Sequence, residues 1–426
     1  MDHFAYRGGQ LLCDGVAVAD LAREHGTPLF IYSEAALREN VAALRRAFAE
    51  TDPLICYALK ANYSLAICNV LQKEGCGFDI VSGGELFRVL KAGADPKTVV
   101  YAGVGKTRAE IQYALQTGIL FFNVESRPEL DRINDVAAEL GVRADVVLRV
   151  NPDVDAGAHQ YTTTGKKGTK FGIELAAART LVAEIGHWGS LRLVGLHIHL
   201  GSPICTPAPY AEALERIVPF VKECREMGAR MDWLDIGGGY GIEYKGGETA
   251  GPGDYAAAIV PYVEKSGCRV VLEPGRFLVG NAAVMVTRVQ YVKDTDTKTF
   301  AICDAGMNDF IRPALYDAYH RIWPVRADSP VPVGEQALAD ATNGRVKMDV
   351  VGPVCESGDF LAKDRLLPQV GQDDLLAVFS AGAYTFSMSS NYNSRLKACE
   401  VMISDGSARV IRTRQSYEDL IASEKF

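Results

Sequence analysis

Short apolar runs alternate with amphipathic stretches between residues 34 and 273. The apolar runs predict eight strands, at 54–60, 78–82, 99–104, 121–126, 143–151, 193–200, 232–236 and 268–273. The stretches between them have helical periodicity, at Ser64–Glu74, Gly84–Ala92, Arg108–Thr117, Arg127–Leu140, Leu175–Ile185, Pro209–Met227 and Asp254–Lys265. A further helix, Glu34–Phe48, precedes the first strand. Such alternation implies parallel strands, and eight units favour a closed (β/α)8 TIM-like barrel over an open doubly wound sheet.

The pattern changes after about residue 280, where Pro/Gly turns replace the regular helices. Strands are predicted there at Val284–Lys293, Thr299–Ala305, Val346–Gly352 and Leu375–Ser380. We therefore expect an α/β barrel at 31–280 and a C-terminal, mostly β domain at 281–426. Residues 1–30 have no place in the barrel count and are predicted to pack with the β domain. The polar insert Asn151–Gly172 predicts a loop over one end of the barrel.

Composition narrows the class of protein. The 426 residues carry a net charge of −8 and contain no basic tract, which argues against nucleic acid and anionic membranes as partners. No apolar run reaches the roughly 20 residues of a membrane span, and the first 25 residues lack a signal-peptide core. The ten cysteines include no Cys-x-x-Cys pair, so we expect mostly buried thiols, a cytoplasmic location and no metal site.

Polar side chains end most of the predicted barrel strands, where barrel enzymes place their catalytic groups. Lys60 ends the first strand, Asp79 the second, His197 and His199 the sixth, and Glu273 the eighth. A lysine here can form an imine with a carbonyl group, although it can also simply extend its ammonium to water. Each histidine alone is equally compatible with a hydrogen-bonded core residue.

A glycine triplet, Gly237-Gly238-Gly239, ends the seventh strand and allows backbone N–H groups to approach a phosphate. Ser202 and Arg276 offer a hydroxyl and a guanidinium at neighbouring strand ends. Many barrels bind phosphate after strands seven and eight, where these residues fall. Together, an imine-forming lysine, a phosphate cradle, an imidazole and a carboxylate for a pyridinium nitrogen are what pyridoxal 5′-phosphate requires.

At this point the sequence resembles the barrel-type pyridoxal-phosphate decarboxylases, which have the alanine racemase-like fold (fold type III). The resemblance extends from about residue 25 to about residue 420. It rests on motifs that occur in the family order: Tyr57-Ala58-Leu59-Lys60-Ala61-Asn62, Ser82-Gly83-Gly84-Glu85-Leu86, His199-Leu200-Gly201-Ser202, Gly237-Gly238-Gly239, Glu273-Pro274-Gly275-Arg276, Gly306-Met307-Asn308-Asp309, Arg312-Pro313-Ala314-Leu315-Tyr316, Gly352-Pro353-Val354-Cys355-Glu356-Ser357 and Gly382-Ala383-Tyr384.

The resemblance implies a role for each matching residue. Lys60 would hold the cofactor, His199 would stack on its ring and Glu273 would bind the ring nitrogen. The other expected cofactor-binding residues are Asp79, Ser202, Gly237, Gly238, Gly239, Gly275, Arg276 and Tyr384. The proton donor would be Cys355, contributed by the second subunit of a homodimer with shared active sites. The expected substrate-binding residues are Arg276, Arg312, Tyr316, Glu356 and Tyr384.

Within this family the resemblance points to an amino-acid substrate, meso-2,6-diaminopimelate, and to lysine as the product. The non-reacting end of this substrate carries a carboxylate, for which Arg312 is suited, and an ammonium, for which Glu356 is suited. The main alternative is a related decarboxylase acting on ornithine, arginine or a carrier-bound amino acid. A racemase of the same barrel or a non-catalytic homologue is also conceivable, but Lys60 and Cys355 argue against the latter.

Overall fold

A computed structural model describes residues 3–157, 170–246, 249–328 and 344–425 of the chain. They form two compact units. One comprises the described parts of 38–242 and 249–278, and the other the described parts of 1–37, 243–248 and 279–426. The predicted loop Asn151–Gly172 falls mostly on residues 158–169, which lie outside the described residues. Within the described part of the chain, no helix is long and apolar enough to cross a lipid bilayer.

The N-terminal segment contributes four strands and a helix before the barrel begins. These are β1 Phe4–Arg7, β2 Gln10–Cys13, β3 Val16–Ala17, α1 Val18–His25 and β4 Leu29–Ser33. Strands β1–β3 form a small antiparallel sheet of their own. All five side chains of β4 are buried, as expected of a strand inside a sheet rather than at its edge. Helix α2, Glu34–Ala47, follows directly.

All eight predicted barrel strands are confirmed. The strands of this unit are β5 Leu54–Ala58, β6 Gly77–Ile80, β7 Val99–Tyr101, β8 Phe121–Val124, β9 Ala144–Asn151, β10 Ile173–Glu174, β11 Leu191–His197, β12 Trp233–Asp235 and β13 Arg269–Leu272. All are parallel, and the order β5-β6-β7-β8-β9-β11-β12-β13 returns to β5, which closes the barrel. The two-residue strand β10 pairs with β9, outside the closed ring of eight strands.

Seven helices alternate with these strands, close to the predicted positions. They are α3 Leu65–Lys73, α4 Gly83–Lys91, α5 Arg108–Thr117, α6 Arg127–Leu140, α7 Leu175–Ala183, α8 Ala208–Glu226 and α9 Pro252–Ser266. Their starts are encoded locally. Ser82 caps α4, and Thr107 forms a capping box with Glu110 at the start of α5. Inside the barrel, Cys56 lies in an apolar cluster with Val100, Phe121 and Trp233, so the interior is a packed core.

The rest of the chain is mostly β, as predicted. Its elements are α10 Arg276–Val279, β14 Ala283–Asp294, β15 Thr299–Cys303, α11 Arg312–Tyr316, β16 Ile322–Pro324, β17 Arg345–Val351, β18 Phe360–Pro368, β19 Leu375–Val378, β20 Cys399–Ser404, β21 Ser407–Arg412 and α12 Tyr417–Ile421. The main sheet runs β18-β17-β15-β14-β4-β20-β21, and β19 adds to β14. Strand β4 therefore lies between β14 and β20, which confirms that the N-terminal segment joins the β domain.

Candidate active site

Lys60 lies two residues beyond the end of its strand, and not at the strand end where the sequence placed it. Strand β5 ends at Ala58, and a single 3-10 turn, Leu59–Ala61, carries the lysine past the strand. Its Nζ donates a 2.5 Å hydrogen bond to Oδ2 of Asp79 on β6, whose side chain is fully buried. Burial and the charge of Glu273 raise the pKa of Asp79 to about 7, although Lys60 opposes this rise. Asp79 can therefore exchange a proton with the Lys60 amine near neutral pH.

Glu273 follows β13 and is held by residues from three other strands. Asn123 Nδ2 lies 3.1 Å from Glu273 Oε1 and 3.1 Å from Asp235 Oδ2, so one amide holds both carboxyl groups. Burial and the neighbouring Glu273 raise the pKa of Asp235 well above its usual range. Burial opposes ionisation of Glu273, but His197 and Lys60 lower its pKa. The two acids thus carry one negative charge between them, located on Glu273.

The side chains around Glu273 could also form a metal site. His197, Asp235 and Glu273 offer ligand atoms within 4.8 Å of one another, and His197 Nε2 lies 3.3 Å from Glu273 Oε2. However, the Asn123 amide already donates to one oxygen of each carboxyl group. We interpret the cluster as a hydrogen-bonded support for the ionised Glu273.

His199 and the glycine triplet fix each other. The backbone N–H of Gly238 donates to Nδ1 of His199 at 3.3 Å, which makes Nδ1 an acceptor and leaves the proton of the neutral ring on Nε2. Burial lowers the pKa of His199 well below its usual value, so the ring is neutral at pH 7. A side chain at Gly238 would place its Cβ 1.9 Å from the carbonyl oxygen of Glu273. Only glycine therefore allows this close approach.

The backbone amides of the triplet are not equally available to a phosphate. Gly237 N–H donates to Asp235 Oδ1 at 2.9 Å, and Gly238 N–H is used by His199. Among the described residues, no partner is seen for the N–H of Gly239. A hydrogen bond from the Tyr210 hydroxyl to the carbonyl oxygen of Gly238, at 2.8 Å, also holds the triplet in place.

Arg276 and Gly275 complete the barrel part of the site. The guanidinium of Arg276 donates from Nε and Nη2 to the Ser202 hydroxyl, both at 3.3 Å, and the side chain is buried. A Cβ at Gly275 would lie 3.1 Å from the Cβ of Ala58 and 3.2 Å from that of Ala61. The glycine thus lets the end of β13 pack against the turn that carries Lys60.

Arg312 is the centre of a second group of expected site residues, in the β domain. Its Nε donates to His320 Nε2 at 3.1 Å, and its Nη2 lies 3.4 Å from the Tyr244 hydroxyl. His320 Nδ1 lies 2.9 Å from the carbonyl oxygen of Phe379, so Nδ1 carries the proton and Nε2 accepts. The Arg312 guanidinium also lies 5.9 Å from the centre of the Tyr316 ring. Arg312 is buried, and these contacts fix the orientation of its guanidinium.

Cys355 and Glu356 lie together on an exposed turn of the β domain. The backbone N–H of Cys355 donates to Asn393 Oδ1 at 2.8 Å, and Glu356 Oε2 accepts from the Tyr392 hydroxyl at 2.8 Å. Tyr384 has a φ of 57°, a left-handed backbone that is rare for an aromatic residue. Such strain concentrates at functional sites.

Sequence reasoning assigned no role to the residues that support these groups. They are Asn123, Asp235 and Tyr210 in the barrel, and Tyr244, His320, Tyr392 and Asn393 in the β domain. Asn123 and Asp235 do stand at the carboxyl ends of barrel strands, which was a usable signal. Tyr244 comes from the loop after β12, and nothing in its local sequence links it to Arg312, 68 residues away.

Known proteins resemble this chain over its full length. The family described as pyridoxal-dependent decarboxylase, pyridoxal binding domain, matches residues 34–280. Diaminopimelate decarboxylase from Pseudomonas aeruginosa is 46% identical, with 100% of this chain and 99% of that protein aligned. The enzyme of the same name from Aquifex aeolicus is 44% identical over 98% of this chain and 96% of its own length. The chain belongs to the diaminopimelate decarboxylases. Among solved structures, diaminopimelate decarboxylase from Helicobacter pylori, complexed with L-lysine, has a TM-score of 0.89 and 39% identity, covering 95% of this chain and 98% of that one.

Membership in the diaminopimelate decarboxylases confirms the reaction class that the resemblance implied and the cofactor that the strand-end residues predicted. It also confirms the barrel that the alternation of strands and helices predicted. The chain is a pyridoxal-phosphate-dependent carboxy-lyase with an alanine racemase-like barrel. The roles of individual residues stay predictions.

Proposed function

We propose that the chain decarboxylates meso-2,6-diaminopimelate to L-lysine and carbon dioxide, the last step of lysine biosynthesis, with pyridoxal 5′-phosphate as cofactor. The observation that carries this proposal is the set of contacts at the strand ends, where Asn123 donates to Glu273 and Lys60 donates to Asp79. The full-length similarity to diaminopimelate decarboxylases supports the choice of substrate.

The strand-end residues fit the cofactor. Lys60 offers an amine for its carbonyl group, and the buried charge of Glu273 suits a protonated ring nitrogen. Side chains at Gly237–Gly239 would collide with the backbone that follows β11 and β13, so the main chain itself is the surface that a phosphate would meet. Arg276 adds a positive charge beside the Ser202 hydroxyl. When bound, pyridoxal phosphate supplies an electron sink for the electron pair left at Cα as the carboxylate departs.

The residues of the barrel have distinct tasks in this reaction. Asp79 Oδ2 would accept a proton from Lys60 Nζ, which leaves the amine in its neutral, nucleophilic form. Glu273 stays ionised because Asp235 keeps the shared proton. His199, neutral and fixed by Gly238, offers the flat face of its ring for stacking. Gly275 lets the Lys60 turn approach the end of β13.

The β domain would bind the non-reacting end of the substrate. Arg312 is a rigid guanidinium, oriented by His320 and Tyr244, and matches the distal carboxylate. Glu356 would pair with the distal ammonium. Tyr316, Tyr384 and Arg276 complete the proposed substrate-binding set, with Tyr384 also beside the cofactor. A substrate with no distal carboxylate, such as ornithine, would gain nothing from Arg312.

Cys355 would donate the proton that replaces the carboxylate at Cα, from its Sγ. Its thiol is exposed on the surface of its own chain, which suits a residue that serves the active site of a second subunit. We therefore propose a homodimer in which each subunit contributes Cys355 and Glu356 to its partner. All ten cysteines are free thiols, which supports a cytoplasmic location.

The test of this function is direct. The purified protein is incubated with pyridoxal phosphate and either meso-diaminopimelate, L-ornithine or L-arginine, and carbon dioxide and amine products are quantified. Lysine and carbon dioxide in equal amounts are expected from meso-diaminopimelate alone, and Lys60→Ala should abolish them. Faster release of carbon dioxide from ornithine or arginine would contradict the proposal.

A further inference from the structure

One short segment of the β domain, Tyr392–Asn393, contacts two neighbouring residues of the proposed site. The Tyr392 hydroxyl donates to Glu356 Oε2 at 2.8 Å, and Asn393 Oδ1 accepts the backbone N–H of Cys355 at 2.8 Å. The adjacent residues Tyr392 and Asn393 thus hold the adjacent residues Glu356 and Cys355, which lie on a separate turn. The hydrogen bond to Glu356 raises the pKa of Tyr392, so the Tyr392 hydroxyl keeps the proton that it donates.

The backbone of this segment is unusual. Asn393 has φ 54° and ψ 28°, and Ser394 also has a φ of 54°. Two consecutive non-glycine residues in the left-handed region cost free energy, and asparagine is among the side chains that tolerate it best. Backbone strain of this kind persists where surrounding contacts fix it, often at functional sites.

The Cys355 turn is also fixed from its buried side. The Asp359 carboxylate accepts the backbone N–H groups of Met307 and Val354, both at 2.6 Å. Val354 immediately precedes Cys355, so Asp359 fixes the backbone just before the thiol and Asn393 fixes it at the thiol. The direction of the turn is therefore set before any substrate arrives.

We propose that Tyr392 and Asn393 are positioning residues: Tyr392 aims the Glu356 carboxylate at the distal ammonium of the substrate, and Asn393 aims Cys355 at Cα. This inference rests on the proposed function. A long, exposed glutamate samples several rotamers, and a hydrogen bond that selects one of them lowers the entropy cost of binding. Proton transfer depends equally on the placement of the donor.

Tyr392 is tested with a pair of substrates. Tyr392→Phe removes only the hydroxyl, and we expect KM for meso-diaminopimelate to rise about tenfold while pyridoxal-phosphate affinity stays unchanged. D-2-aminopimelate keeps the reacting end and the distal carboxylate but lacks the distal ammonium, so Glu356 has nothing to bind. The same substitution should then leave its KM unchanged. Tyr417→Phe, at a surface tyrosine of the same domain, is the matched control.

The two substrates separate positioning from general damage. An equal rise in KM for both substrates, or no rise for either, would overturn the role of Tyr392. Failure of the proposed function looks different, because the wild-type protein would then release no carbon dioxide from meso-diaminopimelate.

Asn393 is tested through Cys355. Asn393→Gly removes the carboxamide and relieves the left-handed backbone, so the fold should be kept. We expect kcat to fall about tenfold, with pyridoxal-phosphate affinity unchanged. In a Cys355→Ala background the same substitution should change the residual kcat by less than about twofold, because the thiol that Asn393 positions is gone. An equal loss in both backgrounds would overturn the role of Asn393.

Discussion

The amine of Lys60 and the carboxylate of Asp79 lie 2.5 Å apart, one partly exposed and the other fully buried. The two groups share a proton. The Lys60 amine holds it readily, and Asp79 also tends to keep it because burial opposes ionisation of the carboxyl group. The contact therefore makes the reactivity of Lys60 depend on the protonation of Asp79.

Asp79 should control how fast the protein captures its cofactor. The rate at which the apoprotein binds pyridoxal phosphate should rise with pH through about 7, where Asp79 becomes able to accept the Lys60 proton. Asp79→Asn should slow capture roughly tenfold and remove this rise. Stopped-flow absorbance from pH 5.5 to 8.5 measures both. An unchanged pH profile in Asp79→Asn would assign the titration to another group.

The same shift has a consequence for the stability of the apoprotein. The pKa of Asp79 is about 7 when folded, above the value of about 4 expected when unfolded. Folding therefore takes up a proton between these values, and this group's contribution to stability falls as pH rises from about 4 to about 7. Asp79→Asn should lose that dependence. Urea unfolding of both apoproteins at pH 5 and pH 8 measures it.

Glu273→Gln should separate cofactor attachment from catalysis. The amide keeps the shape of the side chain but cannot keep a ring nitrogen protonated, so kcat should fall at least about a hundredfold. Lys60 and Asp79 are untouched, and the absorbance of bound cofactor should persist. Activity within threefold of the wild type would show that Glu273 has no such role.

The barrel could be predicted from the sequence because each strand is a short apolar run that ends in polar residues. The same rule missed β21, Ser407–Arg412, whose side chains are mostly exposed, and β18, which contains Lys363-Asp364-Arg365. Edge strands in contact with water lack the pattern that marks buried ones. Lys60 was placed at the strand end, but the strand stops at Ala58 and a 3-10 turn positions the amine.

The support of the site could not be predicted, since it depends on contacts between distant residues. Asn123 and Glu273 are 150 residues apart in the chain and meet only because the barrel closes. Likewise, the sequence predicted that the backbone amides of the glycine triplet can approach a phosphate, but not that those of Gly237 and Gly238 donate to Asp235 and His199. Local sequence encodes which groups are present, whereas closure of the fold decides which of them are already paired.

Tyr210 should strengthen binding of the cofactor through its phosphate group, and the chain offers a matched control. Tyr210→Phe removes the hydrogen bond to the Gly238 carbonyl and should destabilise the protein by about 1 kcal/mol. It should also weaken binding of pyridoxal phosphate about fivefold, but not binding of pyridoxal, which lacks the phosphate. Fluorescence titration of the apoprotein with both compounds measures the affinity ratio, which is the affinity for pyridoxal phosphate divided by that for pyridoxal.

The control for Tyr210 is Tyr240, whose ring stacks on that of Tyr210 with centres 5.6 Å apart. Within the described part of the chain, the buried Tyr240 hydroxyl has no hydrogen-bond partner. Tyr240→Phe should therefore leave the affinity ratio unchanged and keep or increase stability. If both variants lowered the ratio equally, the ring cluster rather than the Tyr210 hydroxyl would be responsible.

Arg312 should select for the distal carboxylate. Arg312→Lys keeps the charge but loses the planar fork and the Nε–H that His320 accepts, so KM for meso-diaminopimelate should rise roughly tenfold to a hundredfold. D-Lysine has the same reacting end and lacks the distal carboxylate, so its slow decarboxylation to cadaverine should change little. Arg321→Lys, in the same domain and paired with Glu243, is the matched control. An equal loss with both substrates would mean that Arg312 acts on the fold or the reacting end, and the assignment of the distal carboxylate to this residue would be wrong.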